Sequence, residues 1–446
     1  SEEIKNIKRR REIIFHRQQI YLFMSYVLRY GREKLRITNN EFIKNELLNE
    51  VGKILLFIND FCERGPDIVG SAEIKKKKLS GIFWQLGQFT VSSNNDLGNE
   101  LSRSYIVYHE SDKGDKISSI FESVIGIKLK KFWSIVFALY GKWNKSEKLI
   151  PKDIVLDKNN YFINCNLIDK QDIEISLDLL SNDFKNLKEI HNNRLESFNY
   201  EEMNFEFLRK NPLLKFDKDK YICLSLPYLT NKVTRGIPNI LREKLGSQKY
   251  SGTVGNPLGE TYEEYVRKLL KNVYNSKSSL AERAMHRKYN GIEISDGIID
   301  YGDQIIFIEV KASLIKTKYR LSNKYKDIDK ALRNFLTNKG ASQLEDRINE
   351  FKSGKTKISE INPKRIKRYW PVLITCIDEI PKYPALSQYY ADILKSYDIL
   401  QQRDIAPLTI MSIADFEQVM RLIEQGESFI EFLKDKNSSR ENKDMS

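Results

Sequence analysis

Cysteine and histidine are both scarce, with four of each in 446 residues, and their scatter excludes several chemistries. Cys62, Cys165, Cys223 and Cys376 form no Cys-x-x-Cys pair, so neither a disulfide framework nor a zinc site is expected. His16, His109, His191 and His286 are equally dispersed, and no spacing outlines a Cys/His nucleophile pair or a metal motif. No apolar run approaches the roughly 20 residues a membrane helix needs; residues 132–143 are apolar but far shorter. The amino terminus is charged and lacks the apolar core of a secretory leader, so a reducing, cytoplasmic setting is the expectation. Gly354-Lys355-Thr356 resembles the end of a phosphate-binding loop, but Asn349 stands where the first glycine is required and a helix, not a strand, precedes it. Any nucleotide-driven motor would therefore be a separate NTPase subunit. No internal repeat is present.

What the chain has in excess is positive charge. Lys and Arg outnumber Asp and Glu by 74 to 61, a net charge of +13, which favours a polyanionic partner such as nucleic acid. Hydrophobic residues make up 41% of the chain, enough for real cores, and the length suits two or three domains.

The most informative segment runs from Ser295 to Lys311 and sets acids and a lysine into residues that otherwise read as buried sheet. Gly302-Asp303 suits a two-residue hairpin loop, because glycine accepts positive φ at the first loop position. If Tyr301 faces Gln304, then Ile298 faces Phe307, Asp300 faces Ile305, and Asp296 faces Glu309. Side chains alternate along a strand, so Glu309 and Lys311 share one face and Val310 points to the other. The spacing thus predicts a cluster of Asp296, Glu309 and Lys311. Directly opposed residues have Cβ atoms about 5 Å apart. Two carboxylates at that separation repel by roughly 3 kcal/mol at an effective dielectric of about 20. Lys311 supplies part of the compensating charge, and a hard divalent cation would supply more: Mg²⁺ is held by one or two carboxylates plus waters and substrate phosphates. The blander alternative is a solvated strand edge with an ordinary ion pair. Ile305, Ile306, Phe307, Ile308 and Val310 argue against it, since a strand apolar on both faces belongs inside a covered sheet.

An Asp at the start of one strand, followed by a second strand ending in Glu-x-Lys, resembles the PD-(D/E)xK nuclease superfamily, whose fold is shared with type II restriction endonucleases. Ser295-Asp296 stands where the family often has Pro-Asp, and Glu309-Val310-Lys311 matches the second half. Upstream, Gly259-Glu260-Thr261-Tyr262-Glu263 resembles the first core helix, in which a glutamate often approaches the metal; Glu263 is the matching position. Downstream, Gln343 resembles a glutamine on the helix after the Glu-x-Lys strand. The resemblance implies metal-dependent phosphodiester hydrolysis. Mg²⁺, or Mn²⁺ in its place, would be held by Asp296 and Glu309 with Glu263 and the Val310 carbonyl. Lys311 would orient the attacking water, and Gln343 would position the water or the backbone. DNA is the expected substrate, with RNA next, in restriction, repair or defence against foreign DNA. A non-catalytic nucleic-acid-binding subunit is the competing reading. Lys316, Lys318, Arg320, Lys324 and Lys326, just past Lys311, and Lys364, Arg365, Lys367 and Arg368, before a later strand, suit phosphate contacts.

The expected fold is α/β: a C-terminal α/β/α layered domain with a central mixed sheet over 250–435, after a mainly helical α+β region over 1–245. Helical spacing marks 259–274, a stretch containing Leu332 to Leu336, 343–351 and 413–433. Residues 369–377 read as a buried strand and 280–289 as a short polar one. Residues 436–446 are expected to be a disordered polar tail. In the amino-terminal half, helices are expected over 11–30, 42–62 and 117–143, with short strands at 154–156, 161–163, 172–177 and 221–226. Residues 244–257, punctuated by Gly246, Gly252, Gly255 and Pro257, read as the interdomain linker. The first half would recognise substrate, hold a homodimer together or bind a partner protein.

Overall fold

The computed structural model describes residues 17–30, 49–55, 97–144, 154–163, 165, 168–195, 205–275, 283–285, 288–289, 292–312, 325–358, 361–376 and 384–441. Its longer helices, in chain order, are α1 (Arg17–Tyr30), α2 (Leu97–His109), α3 (Asp112–Ile125), α4 (Leu129–Trp143), α5 (Lys170–Leu180), α6 (Phe184–Leu195), α7 (Ile237–Leu245), α8 (Asn256–Asn275), α9 (Tyr325–Phe335), α10 (Ala341–Lys352), α11 (Pro384–Ser396), α12 (Ile413–Glu424) and α13 (Phe429–Glu441). The chain divides into two compact units, each assembled from two stretches: Ser1–Ser92 with Ser134–Asn231, and Ser93–Trp133 with Lys232–Ser446.

In the first unit a small sheet is built from β1 (Val155–Asp157), β2 (Ser181–Asn182), β3 (Leu213–Asp217) and β4 (Lys220–Cys223), in the order β1-β4-β3-β2. Its core joins Tyr21 and Leu22 of α1 to Leu187 of α6 and to Phe205 and Phe207, with the Tyr21 and Phe205 rings edge to face at 5.4 Å. Two sequence expectations are corrected here. Residues 161–163 are not a strand, because Tyr161 closes the short helix Lys158–Tyr161. Residues 172–177 lie inside α5, which buries Ile173, Ser176, Leu177 and Leu180 at three- and four-residue steps. The alternation Ile-Glu-Ile-Ser-Leu-Asp hides that helical stripe.

In the second unit a five-stranded sheet contains β5 (Arg283–Met285), β8 (Gly297–Asp300), β9 (Gln304–Lys311), β10 (Arg368–Thr375) and β11 (Thr409–Ser412), in the order β11-β10-β9-β8-β5; β6 (Lys288–Tyr289) and β7 (Ile292–Glu293) pair separately. The β5–β8 and β8–β9 pairs are antiparallel, and β9–β10 and β10–β11 are parallel. A parallel step needs a long crossover, and α9 and α10 fill the one between β9 and β10.

Two contacts assign the layers. A Cβ placed on Gly297 would lie 2.8 Å from Leu270 of α8, so α8 covers the face that carries Ile308. The rings of Phe307 and Phe351 stand 5.8 Å apart, so α10 covers the opposite face, shared by Phe307, Glu309 and Lys311. Helix, sheet and helix are therefore stacked, an α/β arrangement. The middle of β9 is buried on both sides, as its apolar composition requires.

Other expectations change in detail. The single helix expected over 117–143 is two, because Gly126 takes a left-handed φ of 88° and returns its N–H to the Glu122 carbonyl at 2.8 Å, ending α3. The helix expected over 413–433 is likewise α12 and α13, interrupted at Gly426. The tail expected to be disordered from 436 is helical as far as Glu441. The linker expected at 244–257 is instead helical almost throughout: α7 ends at Leu245, Ser247–Tyr250 and the π-helical turn Ser251–Gly255 follow, and α8 begins at Asn256. Neither α11 nor β11 was anticipated. Among the described residues no helix is long and apolar enough to cross a membrane.

Candidate active site

The β8–β9 hairpin is the local structure on which everything at the site depends. Gly302 opens its loop with φ 88°, Tyr301 donates its N–H to the Gln304 carbonyl at 2.9 Å, and the ladder pairs Ile298 with Phe307 and Asp300 with Ile305. That is the register read from the loop residues. Ladder pairing ends at Gly297 and Ile308, and two side chains carry the contact one step further. The Ser295 hydroxyl donates to the Ile308 carbonyl at 2.7 Å, and Asp296 Oδ2 accepts the Val310 N–H at 2.6 Å. The serine thus pins the strand end and leaves Asp296 against the Glu309–Lys311 segment.

Asp296 and Glu309 are both buried, at 5% and 8% exposure, and the Lys311 ammonium donates to Glu309 Oε1. Burial, then the charges of Glu309 and Glu263, push the Asp296 carboxyl well above its ordinary value, against the pull of the Val310 N–H and Lys311. One lysine does not balance the acids. Glu263, on α8, is close enough for its charge to be felt at Asp296, and its Oε2 lies 3.9 Å from the Arg267 guanidinium, one turn along. At the other end of the pair, Cys376 donates its N–H to the Lys311 carbonyl at 3.0 Å, tying the end of β10 to the end of β9.

The structure therefore brings together Asp296, Glu309 and Lys311, with Glu263 near enough to raise the Asp296 carboxyl. Val310 enters as the backbone donor to Asp296. Gln343 is different: it sits on the first turn of α10 with an exposed side chain that has no hydrogen-bond or ionic partner among the described residues. Its helix does start at the right level, since a Cβ on Gly340 would meet Leu373 at 2.8 Å and Leu373 is the ladder partner of Glu309.

The basic residues separate into three groups. Lys316, Lys318, Arg320 and Lys324 lie outside the described residues. Lys326 is exposed near the start of α9. Arg365 and Arg368, expected to contact phosphate, lie away from the acids. Arg368 is level with Gln304, at the loop end of the hairpin, five residues from Glu309 and so about 16 Å along the strand. Arg365 is paired with Asp300, and Arg368 donates to the Arg403 carbonyl at 2.5 Å with its guanidinium 5.9 Å from the Trp370 ring centre.

Sequence reasoning missed a buried polar group behind α8. Arg103 of α2 grips Glu417 of α12 through Nε at 2.6 Å and Nη2 at 2.8 Å, and the Tyr265 hydroxyl donates to the same carboxylate at 2.8 Å. One turn earlier on α2, Glu100 pairs with Arg235. No local spacing signals a pair separated by 314 residues.

The donor set of the site is chemically uniform: hard carboxylate oxygens, partly charge-compensated, at the end of a buried strand. That set suits a hard divalent cation such as Mg²⁺ or Mn²⁺ better than a thiolate- or imidazole-seeking metal. Among the described residues, no three acid, histidine or cysteine side chains already converge as a finished coordination sphere; Lys311 holds Glu309 instead. Comparison with protein family models, with curated proteins and with solved structures gave no match in any of the three.

Proposed function

We propose that this chain is a metal-dependent nuclease of the PD-(D/E)xK type that hydrolyses phosphodiester bonds, with DNA as the substrate. The observation that carries the reading is the capture of the Val310 N–H by Asp296, which sets this acid against Glu309 and Lys311, where burial and the neighbouring acids push its carboxyl up. The order of elements supports it: a helix bearing Glu263, three strands of one sheet, a helical crossover, then a parallel strand, as the restriction-endonuclease-like fold would have. The net charge of +13 suits a polyanion.

Asp296, Glu309 and Glu263 would hold Mg²⁺, which when bound would polarise the scissile phosphate and lower the pKa of a water. The protein's own part is positional. The hairpin register fixes the two acids, and the Val310 N–H orients Asp296. Lys311, whose ammonium donates to Glu309 here, would orient the attacking water and offset charge growing on the phosphate oxygens. Apolar Ile298, Phe307 and Leu373 close the floor of the site against water on the α10 face.

Incubating supercoiled plasmid with the protein in Mg²⁺ and in EDTA tests the reading. Nicking in Mg²⁺ alone, lost in Glu309→Gln and in Lys311→Met, is the expected result; nicking that persists in both variants overturns the assignment. The competing reading, a binding subunit whose Glu309–Lys311 pair is only structural, predicts plasmid retention on a gel without cleavage in any metal. Substituting single-stranded RNA for plasmid separates DNA from RNA as substrate.

A further inference from the structure

We propose that Arg103, Glu417 and Tyr265 are positioning residues for the acid site, fixing the rotation of α8 and through it the placement of Glu263; this rests on the nuclease reading above. All three are buried, and they make one closed arrangement: a two-armed guanidinium–carboxylate pair with a phenol hydroxyl on the same carboxylate.

Stability alone is a poor reason for such a group. Taking two charges out of water costs as much as their attraction returns, and apolar residues of similar volume commonly serve as well or better. What the fork does provide is a single geometry, since a planar guanidinium meets a carboxylate squarely and the phenol oxygen must approach the remaining lone pair. Glu417 is thereby held in one orientation, and it holds Tyr265.

Tyr265 follows Glu263 by two positions on α8, which on a helix of 3.6 residues per turn puts them about 200° apart. One flank of the helix is bonded to Glu417 while the other carries the acid toward Asp296. A carboxylate some 6–7 Å from the helix axis moves about 1 Å for each 10° of rotation. Displacement on that scale can cost on the order of 10²-fold in rate. Both groups act on Cys376: its buried thiol is pushed up by burial, Arg103 opposes that shift, and Asp296, Glu263 and Glu417 add to it, while its backbone N–H holds the Lys311 carbonyl at 3.0 Å.

The inference also changes which part of the chain completes the site. Arg103 comes from Ser93–Trp133, outside the 250–435 stretch that carries the family resemblance, yet inside the same compact unit.

A double-mutant cycle on the full-length chain tests the proposal, reading Mn²⁺ affinity by the free-ion electron paramagnetic resonance signal. Tyr265→Phe removes one hydroxyl and leaves the Arg103–Glu417 pair intact. We expect Glu263→Gln to weaken Mn²⁺ binding about 10-fold and Tyr265→Phe to weaken it several-fold, in line with the roughly 10- to 100-fold effects of groups that orient metal ligands. The double variant should bind no more weakly than Glu263→Gln alone, because Tyr265 acts through Glu263. Unchanged affinity in Tyr265→Phe, or losses that multiply in the double variant, would overturn the proposal. If Tyr265→Phe does not fold, as judged by its melting transition, Arg103→Lys takes its place in the cycle, keeping the charge while losing the second arm. A wild-type chain that binds no Mn²⁺, or binds it equally well as Glu309→Gln, would instead remove the nuclease reading itself and this inference with it.

Discussion

Asp296 and Asp300 stand at the two ends of β8, are buried to almost the same degree, and have opposite surroundings. Asp300 is satisfied: it accepts the Gly302 N–H at 2.9 Å and pairs with Arg365, so its charge stabilises the hairpin loop. Asp296 has one backbone donor, and burial, followed by the charges of Glu309 and Glu263, drives its carboxyl up against the pull of that donor and of Lys311. A charge within an apolar strand therefore does not by itself mark a site. The mark is a charge whose neighbours fail to balance it.

The largest expected effect sharpens that contrast. Asp296→Asn should lower metal-dependent cleavage by at least about 10²-fold, the scale on which a single transition-state contact is lost. Asp300→Asn should leave cleavage within about threefold of wild type, because the asparagine oxygen still accepts the Gly302 N–H; initial rates of plasmid nicking measure both. The reverse ranking would break the comparison.

A second test acts on the loop that sets both ends at once. Gly302→Ala places a side chain at φ 88°, and the strain should cost about 1–2 kcal/mol in urea unfolding. Asp300→Asn should cost less, about 1 kcal/mol, since the Arg365 side chain it releases is well exposed and the pair is screened by solvent.

The smallest effect has the opposite sign. With its carboxyl raised, Asp296 binds a proton more tightly in the folded state than in the unfolded one. As pH climbs from the ordinary carboxylate value to the raised one, the folded state holds the extra proton and stability falls; above that window a constant penalty remains. In EDTA at pH 7, Asp296→Asn should therefore melt higher than wild type, on the order of 2 °C. The gain should vanish in acid below the window. Calorimetric scans across pH would follow it, and a variant that melts lower at pH 7 would show the acid to be stabilising after all.

How much of this was legible in the sequence follows from the range of each interaction. The hairpin was readable because one glycine decides the loop and the loop decides every pair after it. Glu309 and Lys311 were readable because strand alternation is strict. The 172–177 stretch was misread because alternating polarity and a helical stripe coincide over six residues, and burial by tertiary contact selects the second. Gly126 dividing α3 from α4 is a local signal that apolar continuity on either side obscured. The Arg365–Asp300 pair was not readable because its members are 65 residues apart. Arg103 and Glu417 left no trace, since nothing in either neighbourhood refers to the other.

That last pair bears on how the molecule is made. Glu417 follows Arg103 by 314 residues, so at ordinary translation speeds on the order of 15–60 s separate the synthesis of the guanidinium from that of its carboxylate. During that interval α2 carries Arg103 without the carboxylate that pairs with it in the interior. The second unit cannot complete its core until α12 has been made, which makes its assembly a slow, non-local event.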